Sequence, residues 1–139
     1  MASFNKFQSF VELVAEKAHN LGSDTLKVML TNSAPVNTNT VKANLTEIAA
    51  GNGYTAGGTA AVQSSSAQSA GVYKLVCADV VFTASGGSIG PFRYAVLYND
   101  TATNDELIGW WDYGSNVTLS TGESFTVDFD ATNGVLQIT

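Results

Sequence analysis

From Val72 onward the chain is a succession of short segments with alternating apolar and polar residues, cut at intervals by turn-forming residues. "VYKLVCADVVFTA", "FRYAVLY", "ELIGWWDY", "NVTLS", "SFTVDFDA" and "VLQIT" are separated by "SGGSIGP", "NDTATND", "YGSN", "STGES" and "ATNG". Period-two alternation buries one face of a strand, and Gly, Ser, Asn and Asp between such runs make tight turns. No helical period lies between the segments, which argues against a parallel sheet with crossover helices. The pattern predicts a mainly β protein: an antiparallel β-sandwich or a jelly-roll-like barrel. No internal repeat or linker divides the 139 residues, so the expectation is a single domain over 1–139.

The N-terminal part differs. Phe4, Phe7, Val11, Val14, Ala15 and Ala18 recur at helical spacing, with Phe10 and Leu21 at one margin. They predict one N-terminal α-helix over 3–21, with Ser3 as its cap and Gly22 as its stop. Gln8, Glu12, Glu16 and His19 fall on its wetter side. Such a helix either docks on the sheet or packs on another subunit. Next, Leu26, Val28 and Leu30 alternate with Lys27, Met29 and Thr31, the pattern of a half-buried strand. Residues 33–71 form a long, loop-rich insertion, with short strands expected near Leu45–Ile48 and Ala60–Gln63 and an extended loop around 52–58.

Charged residues are only 13% of the chain, about half the usual ~25%, and Ser, Thr, Asn and Gly supply the polarity instead. The net charge is −6 and the six Lys and Arg are scattered, so no basic stripe is available for DNA or RNA. A membrane partner is not expected either, because no apolar run approaches the ~18 residues of a spanning helix. The first residues lack the layout of a signal peptide. "NLT", "NDT" and "NVT" fit the glycosylation pattern, as chance allows in a chain rich in Asn and Thr.

The residues that carry chemistry are sparse. His19 is the only histidine and Cys77 the only cysteine, which leaves no basis for a catalytic triad, a zinc site or an internal disulfide. His19 is expected on the surface, and Cys77, inside a strand, in the packing. "GNGYTAGG" lacks the Lys-Ser/Thr of a phosphate loop and reads as tight turns. Asp100, Asn104 and Asp105 lie close together, as do Asp128 and Asp130, but without the spacing of a calcium loop. In "SFTVDFDA", Phe125, Val127 and Phe129 point inward, leaving both aspartates outside. The expectation is a non-enzyme with no cofactor, no metal and no small-molecule substrate.

The aromatic stretch 90–114 folds naturally into a hairpin centred on Ala102–Thr103. Tyr98 then faces Leu107, Leu97 faces Ile108, Tyr94 faces Trp111 and Phe92 faces Tyr113, with Arg93 across from Asp112. One face would carry Phe92, Tyr94, Val96, Tyr98, Leu107, Trp111 and Tyr113 as the sandwich core. The other, with Ala95, Leu97, Ile108 and Trp110, is also apolar and must be covered by the helix or by a partner. Phe4, Phe7, Phe10 and Trp110 are therefore the candidate partner interface. Removal of residues 1–20 is expected to leave much of the sandwich folded while weakening assembly.

Four long phrases, "HNLGSDTLKVMLTNSAPV", "LTEIAAGNGYTAGG", "GGSIGPFRYAVLYNDTA" and "LIGWWDYGSNVTLSTGESFTVDF", resemble small proteins from the virion-structure region of tailed bacteriophages. Among these, the capsid decoration or cement proteins fit best. The resemblance implies a structural protein on the capsid exterior of the virion, made in the bacterial host cytoplasm. Its partners would be the major capsid protein and itself, as a homotrimer. Alternative roles are a carbohydrate- or receptor-binding module of a phage fibre and a head–tail connector or tail subunit.

Overall fold

The computed structural model describes residues 2–139 as a mainly β, sandwich-like protein with antiparallel sheets and one short helix. In chain order the elements are β1 (Asn5–Lys6), α1 (Ser9–Ala15), β2 (Leu26–Thr31), β3 (Thr59–Ala60), β4 (Gln63–Ser69) and β5 (Val72–Cys77). They continue with β6 (Val80–Thr83), β7 (Ile89–Asn99), β8 (Leu107–Leu119), β9 (Ser124–Val127) and β10 (Leu136–Ile138). A five-stranded sheet has the order β1-β8-β7-β2-β3, a three-stranded sheet β10-β5-β4, and β6 pairs with β9. The larger core draws on all three sheets, joining Leu26 and Val28 of β2 to Leu75 of β5, Phe82 of β6 and Val127 of β9.

The expected helix over 3–21 is only Ser9–Ala15, and this is a correction. Asn5 and Lys6 instead pair with Trp110 and Gly109 on the edge of β8, because the backbone there gains sheet partners that an isolated helical turn lacks. At the other end Lys17 takes a left-handed conformation (φ 69°), which stops the helix well before Gly22. Neither Ser3 nor any other side chain caps the start.

β2 is buried along both faces rather than one, since Met29 and Thr31 are covered as fully as their neighbours. A separate core covers each face: Leu26, Val28 and Leu30 enter the larger one and Met29 a smaller one. The stretch 33–71 is more ordered than expected. It holds a 3₁₀ turn at Lys42–Asn44, then β3 and the whole of β4. The strand expected near Leu45–Ile48 is reduced to one bridge, Thr31 with Glu47. "YGSN" is not a turn: β8 runs straight through it, with Gly114 at φ 82° absorbing the local distortion.

The β7–β8 hairpin forms, but its register slips three times, at Leu97/Tyr98, Phe92/Tyr94 and Ile89/Phe92. Tyr98 faces Leu107 as expected. Beyond it, Leu97 faces Gly109, Tyr94 faces Asp112 and Phe92 faces Val117, in place of Ile108, Trp111 and Tyr113. Bulges explain the differences, because each extra residue moves every later side chain by one position. Arg93 still reaches Asp112 with two hydrogen bonds, Nε to Oδ1 at 2.8 Å and Nη2 to Oδ2 at 3.1 Å. The bulges also exchange the faces. Phe92, Ala95, Leu97, Ile108 and Trp111 enter the main core, while Val96, Tyr98 and Leu107 form a second, smaller core with Phe7, Met29 and Leu45.

Candidate interaction surface

Trp110 follows the bulge in β8 and projects on the side opposite Trp111, as adjacent strand residues must. Trp111 is buried between Phe4 and Phe129, with ring centroids 5.4 and 5.6 Å away. Trp110 is only half-buried. Its inner side rests on Phe7, with centroids 4.6 Å apart, and its outer side lines an open groove of about 450 Å³. Asn5, Lys6, Pro35, Val36 and Asn37 form the rest of that groove, and Val36 is 55% exposed.

The other candidate interface residues lie elsewhere. Phe7 is fully buried in the second core and Phe10 in the first, so both are engaged by their own chain. Phe4 is partly covered where it packs over Trp111. Of the four, Trp110 alone combines a large aromatic surface with a groove beside an exposed aliphatic side chain. Val36 and Pro35 gave no periodic signal in the sequence. Their place beside Trp110 arises from the loop after β2, anchored where the Gln8 N–H donates to the Asn37 carbonyl at 2.9 Å.

The polar clusters are tied into the fold. His19 is buried rather than on the wet surface, because the chain leaves the helix before reaching it. The Asn99 side-chain carbonyl accepts from the backbone N–H groups of Thr101 (3.0 Å) and Ala102 (3.2 Å), which fixes its amide as a donor. That amide donates to Asp24 Oδ2 at 2.7 Å and to His19 Nδ1 at 3.0 Å. The neutral imidazole therefore carries its proton on Nε2, which has no partner among the described residues. An amide separates imidazole from carboxylate, so Asp24 does not orient His19 as it would in a triad.

Glu47 organises the loops after β2. Its Oε2 accepts from the Tyr54 hydroxyl and from the Gly57 N–H, both at 2.6 Å, and its Oε1 pairs with Lys42 at 3.3 Å. Burial and this contact raise the Tyr54 hydroxyl well above its ordinary range, so it remains a donor. "GNGYTAGG" is packing backbone: Gly58 sits so close to β2 that a Cβ there would lie 1.9 Å from the Val28 carbonyl oxygen. Cys77 is buried, and desolvation pushes its thiol up to about 11. Asp130 accepts from the backbone N–H groups of Thr132 and Asn133, at 2.7 and 2.8 Å, which holds its carboxyl below the usual range. Among the described residues no three His, Cys, Asp or Glu side chains converge as a metal site would require. No described helix is long and apolar enough to cross a membrane.

Comparison with known protein families, curated proteins and solved structures found no match to this chain.

Proposed function

We propose that this protein is a non-enzymatic structural component of a tailed-bacteriophage virion, a decoration or cement protein on the outside of the head. It holds neighbouring major capsid proteins together by shape and buried area, and it associates with itself as a homotrimer. The phage reading is supported by the four sequence phrases that resemble virion proteins. The observation that carries the binding role is Trp110, half-buried beside the exposed Val36 in an open groove. A rigid aromatic backed by its own core is the usual anchor of a protein interface. The surrounding Asn5, Asn37 and Lys6 would form the polar rim.

The test uses expanded phage heads that lack the protein. Wild-type chain should attach in many copies spread over the head. Trp110→Ala should attach with a loss of about 2 kcal/mol, roughly 30-fold, while its circular dichroism remains native. Failure of the wild-type chain to attach sinks the reading, and full attachment by Trp110→Ala removes the groove from it. One second reading draws on the same place. An aromatic flanked by two amide side chains also suits a sugar ring, as in a fibre module. A glycan-array signal lost in Trp110→Ala, without head attachment, would select that role.

A further inference from the structure

The sheets end in edges of very different character. β1 and β3, which close the five-stranded sheet, are two residues long, and β10 is three. β4 is seven residues long and pairs on one side only, with β5. Every residue from Ser64 to Ser69 is exposed. The register slips between Gln63 and Ser65, after which Ser65–Ser69 pairs one-to-one with Val76–Val72 as a regular ribbon. Its outer row of N–H and C=O groups has no backbone partner among the described residues. Proteins blunt long edges with charges, prolines or covering loops. "SSAQS" carries no charge and no proline.

We propose that β4 is the surface through which two copies of this chain associate, as antiparallel strands about a two-fold axis at Ala67. In that register Ala67 meets itself, Ser66 meets Gln68 and Ser65 meets Ser69. Every pair is small or uncharged. The chain carries a net charge of −6, so an edge without carboxylates is a place where two copies approach without like charges facing each other. A two-fold pairing saturates the same outer groups on both copies and joins two three-stranded sheets into one continuous sheet. Serine and glutamine keep the unpaired edge soluble, so association rests on main-chain hydrogen bonds and depends on concentration. This contact does not rest on the capsid reading. A three-fold association must use another surface, and a molecule with both contacts would link trimers to one another.

The experiment is sedimentation velocity of the full chain over a range of concentrations, combined with two variants. Ala67→Cys should give a covalent dimer under mild oxidation, because opposed antiparallel residues bring their Cα atoms to about 4.5–5.5 Å, within disulfide reach. The wild-type chain, whose only cysteine is the buried Cys77, should not cross-link. Nor should Val81→Cys, a control exposed on β6. Ala67→Lys sets two ammonium groups face to face and should shift the boundary toward the species lacking this contact, with unchanged circular dichroism. Three results overturn the proposal: a wild-type monomer at every concentration, Ala67→Cys no more cross-linked than Val81→Cys, or an assembly indifferent to Ala67→Lys. A trimer indifferent to Ala67→Lys removes the β4 contact and leaves three-fold association standing. A monomer that binds an extended peptide along β4 shows an edge built for a different protein.

Discussion

His19 sits where three segments meet: the loop after α1, Asp24 ahead of β2, and Asn99 at the end of β7. Burial lowers its imidazole below the ordinary 6.5, against the opposing pull of Glu106 and Asp24. The folded chain therefore holds His19 neutral while the unfolded chain takes up a proton near that ordinary value. The stabilisation is fully present above 6.5 and is lost as the pH falls toward the folded-state value. The urea midpoint should drop between about pH 7.5 and about pH 5.5, and His19→Gln should flatten that drop. An unchanged slope in His19→Gln would place its origin elsewhere. The helical spacing of the N-terminal residues continues through His19 and predicts it on the surface; a local period cannot report a chain that turns inward at Lys17. Cys77 was legible, because a small residue inside an apolar run has few roles other than packing.

At the scale of elements, the bulges in the β7–β8 hairpin decide what the aromatic residues do. Without the slip at Leu97/Tyr98, Trp111 would not share a face with Ala95 and Leu97. Gly109 lies in the same irregular stretch, and the absence of its side chain lets the N-terminal strand in. A Cβ there would meet the Phe4 ring at 2.2 Å and the Asn5 carbonyl oxygen at 2.8 Å. Gly109→Ala should therefore displace the β1 segment and destabilise the fold by about 1–3 kcal/mol, as overpacking does. Adding Phe4→Ala should recover less than the whole loss, because the backbone clash with Asn5 remains. Equal stability of Gly109→Ala and wild type in chemical denaturation would show that β1 is not seated as described. The strands of this hairpin were legible from alternation and its turn from "NDTATND". The bulges were not, because a one-residue slip leaves no mark in the pattern of apolar residues.

At the scale of the molecule, the described residues form two cores, and the N-terminal segment contributes to both. Phe10 enters the larger one from α1, and Phe7 fills the smaller one against Met29, Val96 and Tyr98. Phe7→Ala should cost about 3–5 kcal/mol of global stability in calorimetry or denaturant unfolding. Trp110→Ala should cost less, since that side chain is only partly buried at the margin of the smaller core. Deletion of residues 1–20 should unfold much of the protein rather than spare the sandwich, because it empties both cores at once. A truncated chain with native circular dichroism and an unshifted midpoint would refute that. Period-two alternation and turn residues determined the class of the fold, since a strand's buried face and its tight turns are local properties that a short stretch of chain encodes. The opposite directions of the two tryptophans were equally local, whereas Tyr94 took the register position expected for Arg93, which reaches Asp112 through its long side chain. Which face became the main core, what covered the other, and why Trp110 kept a groove beside Val36 were decided only in the tertiary structure. These depend on bulges and on segments that meet across the whole chain, and contacts between distant residues are not written in the spacing of any one of them.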